Sequence, residues 1–166
     1  LGILNSKLIF FYLKSICTTL QGGYYDFRRD KVDTIPIKLS IKENKLIADL
    51  VQSQIEHHSA IWNNESFFQK YIQSQFSIEK LSKKLQDWHE YEFGDFIKEL
   101  NKAIKKAGGV KLSKMDEIEW MEVFENKKSE TLKLKAEIDK TDKEIDKMVY
   151  ELYSLTEEEI QIVENS

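Results

Sequence analysis

Phe124, Thr131, Ile138, Ile145 and Leu152 follow one another at intervals of seven residues. Leu134, Thr141, Met148 and Leu155 each fall three residues after the last four of them. That alternation of four and three is the seam of a helix lying against another helix, and no strand could present it as one face. Ser113-Lys-Met-Asp116 supplies a start signal, so the pattern predicts a helix from there to about Tyr153, about 60 Å long at 1.5 Å per residue. Its polar breaks at Thr131 and Thr141, with a lysine at position 127, suit a short or antiparallel partner better than a long parallel dimer. Thr156-Glu-Glu-Glu159 then caps a last short helix carrying Ile160 and Val163.

The rest of the chain reads the same way. One proline and six glycines in 166 residues leave little room for the frequent turns of an all-β protein. Residues 3–20 place Ile3, Leu4, Leu8, Phe11, Tyr12 and Ile16 at helical spacing, with Gly22-Gly23 as the stop. Tyr24 to Ile37 reads as extended chain with a turn, and Pro36 biases Ile35 towards extended geometry. Ser40-Ile-Lys-Glu43 fits a capping box for a helix from about Ile41 to about His58 that buries Leu46, Ile47, Leu50, Val51 and Ile55. Asn63-Asn64 is expected to break it before a short helix with Phe67, Phe68, Tyr71 and Ile72. Ser77 opens a further helical stretch whose stripe is Ile78, Leu81, Leu85 and Trp88. Phe93, Phe96, Ile97, Leu100 and Ile104 continue that stripe past a break near Gly94, and Gly108-Gly109 closes it. The expected fold is mainly α: a helical bundle with a long coiled-coil-like C-terminal helix and a small extended or β segment near residues 24–37.

Several kinds of chemistry find no support. Cys17 is the only cysteine, which excludes an internal disulfide and a cysteine zinc site. The apolar run Leu8–Phe11 is too short to cross a bilayer, and Lys14 with no cleavage site after it argues against a signal peptide. A cytoplasmic setting is the expectation. Leu1-Gly2 opens inside a helical pattern, which reads as the tail of a longer protein. No phosphate-binding glycine loop occurs. His57 and His58 are adjacent and so face different ways on a helix; they read as a solvated helix end rather than metal ligands. His89 reads as a packed or surface histidine, and Cys17 as a core thiol. Asp139, Asp142 and Asp146 alternate with Lys140, Lys143 and Lys147, the pattern of a solvated coiled-coil exterior. Tyr150 and Tyr153 read as packing residues. No catalytic residues and no metal ligands are assigned.

Charge is unevenly spread: residues 1–52 carry a net +3, residues 53–112 a net +1 and residues 113–166 a net −8. A polyanion would meet the front of the chain. There, the stretch QGGYYDFRRDKVDTIPI at residues 21–37 combines Gln21, Gly22, Gly23, Tyr24, Arg28, Arg29 and Lys31, with Tyr25 beside them and Lys38 just beyond. Arginine forks suit phosphates and guanine edges, and tyrosine offers stacking. The competing reading is a solvated loop whose bases are neutralised by Asp26, Asp30 and Asp33.

The order of the pieces adds to this. LGILNSKLIFFYLK followed by LQGGYYDFRRDKVDTIPI resembles the end of the target-recognition region in adenine-specific DNA methyltransferases, in particular type IIG restriction–modification enzymes. FSIEKLSKKLQDWHEYEFGDFIKELNKAIKKAGG resembles their helical insert, and EIDKTDKEIDKMVYELYSLTEEEIQIVE their C-terminal ending, where most have glycine at the position of Ser154. The resemblance implies that residues 1–38 end a DNA target-recognition domain, 39–112 form a helical spacer, and 113–166 form the long helix with its cap. It implies double-stranded DNA as a partner through Gln21, Gly22, Gly23, Tyr24, Arg28, Arg29 and Lys31, and an upstream methyltransferase domain as another. S-adenosylmethionine belongs to that upstream domain, and no cofactor is expected in this chain. The Asn/Asp-Pro-Pro-Tyr/Phe motif and a nuclease signature are absent, so the resemblance is to the non-catalytic end. The alternative is a coiled-coil module for self-association without DNA contact.

Overall fold

The computed structural model describes residues 1–38 and 40–166; Leu39, where the helical spacer is expected to begin, lies outside them. Seven α-helices form among the described residues: α1 Lys7–Ile16, α2 Arg29–Val32, α3 Ile41–Phe76, α4 Lys83–Gln86, α5 Phe93–Lys106, α6 Lys114–Tyr153 and α7 Glu157–Glu164. A 3-10 turn, Trp88–Glu90, links α4 to α5, and the one β feature among the described residues is an isolated antiparallel bridge between Thr19 and Tyr25. The fold is mainly α, as the heptads and the shortage of turn residues require.

The chain divides into two compact units. The first comprises Leu1–Ile55 and Ile138–Ser166, and the second Glu56–Glu137. Each unit takes part of α3 and part of α6, and in each the two helices run antiparallel.

In the first unit Ile47 packs with Ile145 and Val149, flanked by Ile3, Leu8, Leu50, Val51, Met148 and Tyr153. The Gln54 amide donates to Asp142. The α1 helix begins at Ser6, whose hydroxyl caps Ile9 N–H, and stops at Ile16 rather than near Leu20. The glycines that looked like its stop signal sit farther on, inside a hairpin-like turn. Asp146 is a correction to the solvated-exterior reading, because it is only 6% exposed. Its carboxylate accepts the backbone N–H of Lys7 at 2.8 Å, satisfying a donor in the first turn of α1 that has no partner within the helix. Lys7 Nζ pairs with Glu164, and Tyr150 donates to the same carboxylate at 2.7 Å. These contacts bind α1, α6 and α7 together.

In the second unit the core is aromatic. Phe68, Trp88, Phe96 and Phe124 are buried together with Ile72, Ile78, Leu81, Leu85, Ile97, Leu100 and Ile104. The Phe68 and Trp88 rings lie 4.4 Å apart and those of Phe96 and Phe124 4.7 Å apart, at the short limit for favourable ring pairs. The expected break at Asn63-Asn64 does not occur, for α3 runs straight through it. Asn64 is buried and donates to Thr131 Oγ1 at 2.7 Å, while Thr131 donates to the carbonyl of Lys127. Two asparagines disfavour a helix by under about 1 kcal/mol each, less than the burial of Ile61, Phe68 and Ile72 returns. His57 and His58 consequently lie mid-helix and not at a helix end.

Residues 77–92 also depart from expectation. Ile78, Leu81, Leu85 and Trp88 are all buried, but they hang from an irregular segment, one turn of α4 and the 3-10 turn rather than from one helix. The reason is the end of α3, where Ser77 takes φ 52° and Ile78 N–H bonds back to the carbonyl of Gln73. The same left-handed closure ends α5 at Gly108 (φ 84°) and α6 at Ser154 (φ 59°), with Gly109 reaching Ile104 and Leu155 reaching Tyr150. Glycine adopts this conformation freely, whereas serine is strained there. Both serines are exposed. Ser77→Gly and Ser154→Gly are therefore each expected to stabilise the fold, by about 0.5–1 kcal/mol, in chemical denaturation.

Candidate nucleic-acid interface

The stretch singled out in the sequence belongs to the first unit and is built on α1. Past Cys17 the backbone turns back on itself. Asp26 N–H bonds to the Thr18 carbonyl at 3.0 Å, Leu20 N–H to Tyr24 and Gly23 N–H to Leu20. Gly22 and Gly23 sit at the tip with φ 94° and 82°, and Gly22 holds the position where a type II turn needs positive φ. A side chain at Gly22 would also meet the Tyr24 ring at 3.2 Å.

Side chains alternate along the returning arm. Tyr25 and Phe27 face Phe10 of α1, their rings 6.1 Å apart and nearly parallel, and both meet it edge-on at 6.4 and 6.2 Å, with Phe10 and Phe27 still nearly half exposed. The Lys14 ammonium lies 5.5 Å from the Phe10 centroid and 6.0 Å from that of Tyr25. Tyr24 is left outside, 73% exposed.

Arg28 precedes the single turn of α2, and Arg29 and Lys31 lie within it. Arg28 Nε donates to Asp26 Oδ2 at 2.5 Å, and that bond, followed by the carboxylate's charge, raises the guanidinium pKa further. Arg29 faces Asp33 across 3.5 Å. Their side chains are 72% and 93% exposed, so both guanidinium groups face water, where such pairs contribute little. A phosphate could displace either carboxylate at small cost.

The far end of the stretch is tethered. Tyr12 of α1 donates to the Thr34 carbonyl at 3.3 Å. Tyr153 of α6 donates to the Pro36 carbonyl at 2.5 Å and accepts Lys38 N–H at 3.1 Å. Gln21, Gly22, Gly23, Tyr24, Arg28 and Arg29 are thus exposed on a loop whose far end is tethered, with Lys31 half-buried beside them. The sequence reading missed the pedestal of Phe10, Lys14, Tyr25 and Phe27, although the i, i+2 spacing of Tyr25 and Phe27 carried the signal. It took Tyr153 for packing alone.

The electrostatic setting is less basic than the first 52 residues are by themselves. The first unit folds the basic front against the acidic tail and carries eleven Lys/Arg and fourteen Asp/Glu, a net of −3. Within the first unit, any affinity for a polyanion has to be local to the loop.

Elsewhere, His89, read as either packed or on the surface, is packed, 7% exposed in the second unit. Lys135 Nζ lies 2.7 Å from its Nε2, and Glu65 lies 3.2 Å from Nδ1 but off the line of a hydrogen bond. Burial first, and then the Lys135 charge, push the imidazole pKa down. Cys17 is half-buried. Among the described residues no three His, Cys, Asp or Glu side chains are placed to hold a metal ion, and no helix is long and apolar enough to cross a membrane.

Residues 40–149 match the family described as Domain of unknown function (DUF8810). The chain belongs to that family. The DUF8810 match spans α3, α4, α5 and most of α6, while the glycine loop and its arginines precede it. No curated protein and no solved structure matches the chain.

Proposed function

We propose that this chain is the C-terminal, non-catalytic part of a restriction–modification DNA methyltransferase, contributing to DNA target recognition and to a helical scaffold. The observation that carries the reading is the loop at residues 21–31. It presents two almost fully exposed arginines and an exposed tyrosine on a backbone anchored by Tyr12 and Tyr153. The family-like order of segments supports it. Arg28 and Arg29 would leave Asp26 and Asp33 for phosphate oxygens or a guanine edge, and Tyr24 would stack or bond to a phosphate. S-adenosylmethionine would be held upstream, by motifs these residues lack. Replacing Arg28 and Arg29 together by alanine in the full-length protein should weaken DNA binding and reduce the salt slope of log K by about 2. An unchanged affinity with an unchanged slope would remove the loop from the interface.

A second reading, a scaffold without DNA contact, draws on the seam. Phe124, Thr131, Ile138, Ile145 and Leu152 are all buried within the single chain. Under that reading the two arginines contribute nothing to affinity, and the same titration separates the two.

A further inference from the structure

The division of the sequence into three charge blocks hides one concentration of positive charge. Residues 98–114, KELNKAIKKAGGVKLSK, hold six lysines and one glutamate, a net of +5 within seventeen positions. The structure puts them on the second unit, along α5 and around the corner into α6. Phe96, Leu100 and Ile104 are buried on one face of α5. Lys98, Lys102 and Lys105, spaced by four and three, share the opposite face, and Lys106, Lys111 and Lys114 follow at the corner. All six are exposed. Lys98, Lys102 and Lys114 have carboxylates near them, from Asp95, Glu99 and Glu117, each in an exposed pair three residues apart. Lys105, Lys106 and Lys111 have no ion-pair partner among the described residues.

A solvated amphipathic helix needs polar residues on its outer face, but it does not need them all of one sign. The second unit as a whole carries a net of −1, so this corner is a local excess and not a reflection of overall composition. We infer that the lysine ridge and corner bind the phosphate backbone of nucleic acid, independently of sequence. The layout suits a linear polyanion: Lys98 and Lys106 are about 12 Å apart along a straight helix, a length over which a duplex carries about seven phosphate charges. A phosphate chain lying along the helix would meet ridge and corner together. Lysines acting as point charges without planar recognition give contacts that position nucleic acid and do not read bases.

The inference rests on the nucleic-acid reading above but on different residues, so the two can fail separately. The test uses the full chain and a duplex of arbitrary sequence, titrated at several salt concentrations. One variant carries Lys105→Gln, Lys106→Gln and Lys111→Gln, and another carries Arg28→Ala and Arg29→Ala. All three lysines are exposed, so far-ultraviolet circular dichroism should show an intact helical fold. The lysine variant is expected to bind at least about tenfold more weakly at low salt, with the slope of log K reduced by about 3. Loss in the lysine variant with the loop variant unaffected supports this surface and removes the loop. Loss in the loop variant alone overturns the inference and keeps the loop. An undetectable affinity of the unaltered chain at low salt overturns the inference, and the loop is then judged by the titration of the full-length protein alone. Lysine-dependent binding to phosphatidylserine vesicles without binding to the duplex overturns the inference in favour of a membrane.

Discussion

Phe124→Ala is expected to destabilise the second unit by about 3–5 kcal/mol, the largest effect of any single truncation proposed for this chain. Phe124 is completely buried, and its ring lies 4.7 Å from Phe96, 5.6 Å from Phe93 and 5.7 Å from Trp88. Alanine would lose the transfer free energy of the ring and leave a cavity bounded by large rigid rings that cannot collapse into it. Part of each ring–ring term would go as well. Total stabilities of domains lie at about 5–15 kcal/mol, so the variant should lose much of its margin. Chemical denaturation followed by tryptophan fluorescence can check this, since Trp88 and Trp120 both belong to this core or pack against it. A loss below about 1 kcal/mol would mean that the aromatic packing is looser than these distances state. Phe124→Leu should recover a large part of the difference, because it restores most of the apolar volume.

Phe124 is also where the sequence was most legible. A period of seven depends only on which residues are apolar, and Phe124, Thr131, Ile138, Thr141, Ile145 and Leu152 are all buried, with Leu134 and Met148 half-buried between them. The three capping signals in the sequence likewise act locally. Ser113 and Asp116 exchange backbone and side-chain hydrogen bonds, Thr156 and Glu159 form a full box, and the Ser40 hydroxyl bonds to Glu43. What failed depends on distant partners. Asn63-Asn64 has the composition of a break, and the bond that keeps Asn64 helical comes from Thr131, sixty-seven residues away. Residues 77–92 have the spacing of a helix, yet the left-handed Ser77 redirects the backbone and the buried stripe survives on short turns. At the candidate interface, the exposure of Tyr24, Arg28 and Arg29 followed from composition. The net charge around them did not, because folding brings residues 138–166 into the same unit and reverses its sign. Linear charge blocks describe a surface only when the chain does not fold one block onto another.

Asp146 tests that folding-back directly, and its two nearest replacements should behave in opposite ways. Asp146→Ala leaves the part-buried Lys7 N–H without its acceptor, which costs about 1–3 kcal/mol. Asp146→Asn keeps an oxygen for that bond and removes the charge. The carboxylate benefits from the Lys7 N–H and ammonium, but its pKa is nonetheless raised, with burial as the largest cause. Desolvation, aided by the like charges of Glu164 and Asp142, therefore outweighs those attractions, and the charged form is the one the fold disfavours. For a carboxylate raised above its unfolded value, the native state keeps the proton where the unfolded chain has released it. Stability then falls as pH rises from about 3.8 through the folded pKa, and the cost is complete above that. Glu164 works in the opposite direction. Its hydrogen bonds from Lys7 and Tyr150 lower its pKa, so its contribution is present above 4.5 and is lost as pH falls through the folded value. Both Asp146 variants retain Glu164, so its effect cancels to first order when the Asn variant is compared with the unaltered chain. Their difference in unfolding free energy should move in favour of Asp146→Asn as pH rises from about 3.8 towards neutrality. Denaturant titrations at pH 4, 5, 6 and 7 would reveal it. A constant difference, or one that moves towards the carboxylate, would show that the charge at the start of α1 is stabilising. The helix dipole and the Lys7 ammonium would then outweigh burial after all.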